Sequence, residues 1–213
     1  MSRVDPRVSR TRDRVLPAAL ALFVQRGFDQ VTVEDIAAAA GVATKTVFNV
    51  FISKERLFLD VVESVVSTAE AWAATQAAEV ERPEDLAEAM TQLAATLLSP
   101  RVLGLRQLLV SELARFPALA PDYYQRAPRR VLDSLAEALG RMRDAGLLAL
   151  DDERLAAEQL AFLTFGASLD EAMLRPAATP ADGSAVSRRI ESGVRVFLAA
   201  YQPPGHRTPS SPG

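Results

Sequence analysis

Two sets of side chains in this sequence could do chemistry: scattered carboxylates, and a compact group of donors and cations, Thr44, Lys45, Thr46 and Asn49, with Lys54 just beyond. Glu112 or Asp170 could act as an acid or base, but only beside a second polar group, and spacing fixes none to either. Cysteine is absent, which excludes disulfides, thiolate nucleophiles and cysteine-based metal centres. The single histidine, His206, sits in a Pro/Ser/Gly tail, so a Ser-His-Asp triad or a multi-histidine metal site has no imidazole to use. We expect no catalytic residue, metal or cofactor, and an all-helical enzyme is the weaker rival reading. The group around Thr44–Asn49 carries the argument instead.

Net charge supports that choice once it is divided by position. The 213-residue chain has 24 Lys/Arg against 27 Asp/Glu, a balance of -3. Residues 1–56 hold nine basic side chains against six acidic ones, or +3, and the remainder 15 against 21, or -6. Both lysines, Lys45 and Lys54, fall in the basic part. A basic cluster by itself is compatible with a merely solvated face. The start, Met-Ser-Arg-Val-Asp-Pro, has no apolar core behind it, and no stretch reaches about 18 uncharged apolar residues. A cytoplasmic protein with no membrane span is the expectation.

The elements that must position the polar group read as helices throughout. Alanine, leucine, glutamate and arginine abound, and alternating strand patterns and hairpin dipeptides are missing. The first helix ends at Arg26, stopped by Gly27. Pro17 removes a backbone bond four residues back, so this helix either begins near Asp13 or kinks. Thr32 and Asp35 form a capping-box start for a short helix from Val33 to about Ala40. Gly41 turns the chain, Val42 plugs the angle, and a second short helix spans about Thr44 to Val50. Ser53 caps the next, which carries Leu57, Phe58, Val61, Val62, Val65, Ala69 and Trp72 at helical spacing. Further helices start at Pro83, Pro100, Pro121 and Pro128. Two long ones follow, about Asp152–Arg175 and Ala185–Tyr201, separated by a Pro/Gly-containing loop. The domains expected are 1–56, 57–201 and a disordered tail, 202–213.

Two short helices around a glycine turn, packed on a preceding amphipathic helix, make a helix-turn-helix whose second helix fits the DNA major groove. Phe23, Ile36, Ala37, Val42, Val47 and Phe51 are its locking faces. Thr44, Lys45, Thr46, Phe48 and Asn49 then point outward with Lys54, where they can meet DNA. Arg3, Arg7, Arg10 and Arg12 precede this core as an unstructured basic arm, to follow the backbone, enter the minor groove or remain a solvated tail.

The run Ala19-Leu20-Ala21-Leu22-Phe23, Gly27-Phe28, Val31-Thr32-Val33, Ile36-Ala37, Ala40-Gly41-Val42, Thr46-Val47-Phe48, Phe51 and Ser53-Lys54-Glu55-Arg56-Leu57 resembles the TetR family signature. That resemblance implies a transcriptional regulator acting on double-stranded operator DNA. It puts Thr32, Thr46, Phe48 and Lys54 at phosphate-contacting positions, and Thr44, Lys45 and Asn49 near base edges. Helix capping is the alternative role for the threonines. Two positions depart from the family pattern: Phe48 stands where a phosphate-binding Tyr is common, and Ala43 where a Ser cap is frequent. Phe48 can only stack on sugar or pack inward.

From about residue 60 the resemblance implies a ligand-binding and dimerisation domain, and Leu113-Ala114-Arg115-Phe116-Pro117 looks like the AefR-like subgroup. A helical wheel puts Glu112 on an apolar face with Leu105, Leu108, Leu109, Leu113 and Phe116, where a carboxylate should be buried and paired or ligand-bound. Trp72, Glu112, Phe116, Tyr123, Phe162 and Phe165 are the candidates for a small, largely apolar effector's pocket, with plain core as the alternative. Phe162, Gly166, Leu169 and Met173 in one long helix, and Ile190, Gly193, Val194 and Phe197 in the other, form stripes suited to a four-helix homodimer interface. The alternative is that those stripes face the same subunit's core. The functional expectation is a repressor that binds an inverted repeat as a dimer and is released by the effector; a regulator without a small-molecule inducer is the alternative.

Overall fold

The computed structural model describes residues 6–75, 79–175 and 182–203. Arg3, the loop at 176–181, the tail from 204 on with His206, and the side chain of Trp72 lie outside the described residues. Among the described residues every regular element is helical: α1 Pro6–Arg26, α2 Val33–Ala40, α3 Thr44–Phe51, α4 Lys54–Thr75, α5 Leu86–Leu97, α6 Pro100–Ser111, α7 Leu119–Arg126, α8 Pro128–Asp144, α9 Glu153–Ala161, α10 Ala167–Met173 and α11 Gly183–Tyr201. A 3-10 turn, Pro83–Asp85, leads into α5. No single helix is long and apolar enough to cross a membrane.

The chain forms two compact units, Met1–Thr68 with Pro100–Tyr124, and Ala69–Ser99 with Gln125–Gly213. This division falls elsewhere than the boundary at Arg56. The first fifteen residues of α4, together with α6 and most of α7, belong to the first unit. Packing explains the difference. The apolar spacing of α4 runs without a break past Arg56, with Leu57, Phe58, Val61, Val62, Val65 and Val66 all buried. Gly104 of α6 also lies so close to Val24 of α1 that a Cβ there would sit 2.9 Å from Val24 Cγ2.

In the first unit α1 continues through Pro17, so a start near Asp13 does not hold. Both Asp13 and Pro17 are exposed, and water can take the carbonyl whose N–H partner the proline ring removes. Arg7, Arg10 and Arg12 are therefore helical rather than part of an unstructured arm. Arg12 turns inward, 2.7 Å from Asp60, and lies over the Phe51 ring at 5.2 Å. Asp60 is only 6 % exposed and is also paired with Arg56 at 3.1 Å, so two cations compensate the one buried carboxylate and pin α1 to α4.

Ile52, between α3 and α4, has φ 68° and ψ -50°, and Ser53 N–H donates to Phe51 C=O at 2.7 Å across it. This is a γ-turn of the positive-φ kind, strained for a β-branched side chain that is also 79 % exposed. Ile52→Gly is expected to raise the stability of the first unit by about 1 kcal/mol, because it removes the strain and gives up little burial. A lowered melting temperature would show that the turn is held by the isoleucine.

The second unit packs Leu86, Met90, Leu93, Leu135, Leu139, Met142, Leu160, Phe165, Ile190 and Phe197 into one core. The long helix expected over Asp152–Arg175 is interrupted: Asp152 caps α9 by accepting Leu155 N–H, and Phe162–Gly166 form a π-helical turn before α10. The wider turn shifts the helical phase. Phe162 stands 76 % exposed and Leu163 faces out beside it, whereas Thr164 and Phe165 are buried. Thr164 Oγ1 donates to Leu160 C=O at 2.8 Å, and the Leu163 carbonyl faces Gly193 of α11.

The expected interface stripe on α11 is corrected by this packing. Ile190, Gly193, Val194 and Phe197 lie in the core of their own chain, because Gly193 lets α11 close on the π-turn. On α9, the π-turn and α11 the large apolar side chains left outside are Leu155, Phe162, Leu163 and Val196, with Gly166, Leu169 and Met173 half-buried.

Candidate nucleic-acid interface

The polar group identified in the sequence sits on a tightly specified turn. Thr32 caps α2: its Oγ1 accepts Asp35 N–H at 3.1 Å and donates to Asp35 Oδ2 at 2.7 Å, while Asp35 Oδ2 accepts Thr32 N–H. These bonds, with Arg26 nearby, hold the Asp35 carboxyl below the usual carboxylate range. The Thr32 hydroxyl is thus already engaged in the cap. Gly41 adopts φ 63° at the C-terminus of α2, and Val42 N–H reaches back to Ala37 C=O at 3.0 Å. Val47 and Phe51 anchor α3 in the core, and Val42 is half-buried between the helices.

Anchoring one face of α3 presents the other. Lys45, Phe48 and Asn49 are exposed, Phe48 to 45 %, and Thr44 and Thr46 are half-buried at its edge. Ala43 precedes α3 without a side-chain cap, as its residue type requires. Phe48 therefore faces outward rather than packing inward, and offers an aromatic surface without a hydroxyl.

Lys54 opens α4, as expected, but its ammonium group is largely engaged within the protein. Its Nζ donates to Phe28 C=O at 3.0 Å and Val31 C=O at 3.1 Å, and lies 4.4 Å from the Phe28 ring centroid. Two of its three N–H donors thus hold the turn between α1 and α2, and only the third remains for a phosphate. The same turn receives Arg115, which pairs with Asp29 at 2.5 Å and lies over Phe28 at 5.0 Å. Phe116 stacks on Phe58 at 5.0 Å and meets Phe28 edge-on at 5.5 Å. The Arg-Phe-Pro segment is therefore a clamp on the first unit, a role that spacing within its own stretch could not show.

The remaining pocket candidates separate. Glu112 lies beyond the end of α6 and is half-buried, so the full burial expected for it does not occur: the helical wheel extends past Ser111, where the helix stops. Tyr123 is buried in the first unit; burial pushes its phenol up, against the pull of a hydrogen bond with Arg106. Phe165 belongs to the second unit's core, and Phe162 to its surface. Among the described residues, no group of His, Asp or Glu could hold a metal ion. Sequence reasoning missed Arg14, whose Nη2 donates to Gly41 C=O at 2.8 Å. The signal available was its helical phase with Arg7 and Arg10, obscured by reading that segment as unstructured.

A rigidly anchored short helix with an exposed polar face, set beyond a glycine turn on two supporting helices, defines a helix-turn-helix protein. Residues 15–61 match the bacterial regulatory proteins of the tetR family, and residues 84–203 match the AefR-like transcriptional repressor C-terminal domain. The chain belongs to the TetR family of transcriptional regulators. It is 43 % identical to MftR of Mycobacterium tuberculosis, a regulator named for mycofactocin biosynthesis, over 56 residues, 26 % of this chain and 28 % of that protein. The match thus spans little more than a quarter of that relative's length. A TetR-family regulator from Mesorhizobium loti superposes with a TM-score of 0.78 at 28 % identity, over 93 % of this chain and all of that one. The flavonoid-responsive regulator FrrA does so with a TM-score of 0.63 at 30 % identity, over 92 % of this chain and 99 % of that one. These relatives are regulators, not enzymes.

Proposed function

We propose that this protein is a cytoplasmic repressor that occupies an inverted-repeat operator as a homodimer and leaves it when a small, largely apolar molecule binds. The observation that carries the reading is the exposed face of α3, with Lys45 and Asn49 outward and Val47 and Phe51 locked beneath. Thr44, Lys45 and Asn49 meet base edges. Thr46 and Phe48 lie on the sugar-phosphate backbone, Lys54 adds its remaining donor, and Thr32 contributes mainly by capping α2. Leu155, Phe162, Leu163 and Val196, with Gly166, Leu169 and Met173, form the dimer face. The flavonoid response in FrrA's name supports an aromatic effector, bound among the helices of residues 84–203.

Selection from a random duplex pool with the full-length protein will return an inverted repeat. On that site Lys45→Ala with Asn49→Ala is expected to weaken binding by about 2–6 kcal/mol per pair of side chains and relax the preferred sequence, with unchanged melting. Recovery of no enriched site would end the reading. An effector that releases the operator must lose affinity by the same factor when operator is present, about 5–150-fold for a coupling of this kind. Equal effector affinity for free and DNA-bound protein would leave a regulator without a small-molecule inducer.

A further inference from the structure

Arg7, Arg10 and Arg14 follow one another at steps of three and four on α1, which places them in a single line along the helix. All three are exposed, on the side opposite Arg12, which turns inward to Asp60. Among the described residues no carboxylate pairs with Arg10 or Arg14. Asp13, the acidic residue nearest in sequence, is about 100° round the helix from Arg14. The line ends at the helix-turn-helix, where Arg14 bonds the Gly41 carbonyl only three residues before α3 begins. That bond uses one of five guanidinium N–H donors and leaves the others free to meet an anion.

We propose that this arginine line is a second DNA-binding element, a helical rail that rests on the backbone phosphates flanking the bases read by α3. It rests on the DNA-binding reading above and extends it to residues outside the helix-turn-helix. The partner is fixed by charge and by continuity with the α3 face. The mode is fixed by shape: an α-helix with side chains is about 10–12 Å across, and the minor groove is about 6 Å wide, so α1 cannot enter it as a flexible arm would. Arg10 to Arg14 alone spans about 6 Å of helix axis. Phosphates follow one another at about 3.4 Å of duplex axis per strand, so the line reaches more than one. Guanidinium groups suit the task because their donors form paired bonds to phosphate oxygens, and a folded helix holds them in place before DNA arrives.

The test uses the full-length protein, the selected operator and a random-sequence duplex of equal length, with binding followed from about 50 to 200 mM salt. Arg10→Gln, Arg14→Gln and the double variant remove charge, and the glutamine amide introduced by Arg14→Gln keeps a donor for the Gly41 carbonyl. The double variant is expected to lower the log–log salt slope by about two units per subunit and to weaken both duplexes by the same factor. Arg10→Lys with Arg14→Lys should restore most of the slope. An unchanged slope in Arg10→Gln and in the double variant, with wild-type melting, would overturn the proposal. A loss confined to A·T-rich flanks would also overturn it, because that pattern belongs to minor-groove arginines. Wild-type protein that bound no duplex would remove this proposal together with the DNA reading, whereas wild-type binding with unaltered variants removes this proposal alone.

Discussion

Phe28→Ala is expected to cost the first unit about 3–5 kcal/mol and, with it, operator binding at growth temperature. The ring is fully buried and lies 5.4 Å from Phe23, 5.2 Å from Phe58 and 5.5 Å from Phe116, centroid to centroid. Lys54 and Arg115 both approach it from the turn it belongs to. Alanine would leave a cavity at the junction of α1, α4 and the Arg-Phe-Pro clamp and remove the aromatic partner of two cations. Small domains have only about 5–15 kcal/mol of stability, so a loss of this size reaches the folded population itself. Calorimetry should show the first unit melting earlier. Phe28→Leu, which keeps much of the volume, should lose far less. A wild-type melting curve for Phe28→Ala would mean that the clamp and the aromatic cluster do not hold the unit together.

Gly193→Leu should unfold the second unit rather than simply separate subunits. A Cβ at Gly193 would lie 2.5 Å from the Leu163 carbonyl oxygen, 2.7 Å from its carbon and 3.0 Å from Thr164 Cα. These are backbone atoms of a π-turn already tied to Leu160 through the Thr164 hydroxyl, so they cannot swing aside as a side chain would. Even Gly193→Ala is expected to lose about 1–3 kcal/mol by overpacking, and leucine more. Phe162→Asp provides the contrast, because its site is exposed and its effect should be a folded monomer by light scattering with unchanged melting. If Gly193→Leu instead gave a stable, folded monomer, the glycine would lie at the subunit interface and the π-turn contact would not limit it.

Much of the first sixty residues is legible in the amino-acid sequence, and for a definite reason. Helix starts and stops depend on neighbours within one turn, so Thr32 with Asp35, Gly41, and Ser53 declare the boundaries of α2, α3 and α4 locally. The outward set on α3 is legible because Val47 and Phe51 leave only one way for a short helix to turn. Lys54 is not, because its partners are two carbonyls more than twenty residues away, and no periodicity reports a long-range hydrogen bond.

The amino-acid sequence by itself determined that this protein is helical, that residues 32–51 make a helix-turn-helix, and that no thiol chemistry is available, cysteine being absent. These are properties of local spacing and composition, set by interactions within a few residues. Only the tertiary structure decided which side of a stripe faces inward. The π-turn at Phe162–Gly166 turned Phe162 out and let Gly193 close on the backbone, moving the expected α11 interface into the core. It also showed Arg7, Arg10 and Arg14 as one helical line and Arg115-Phe116 as a clamp on Phe28. Helical periodicity says that two residues share a face, but what meets that face depends on packing between segments far apart in the chain.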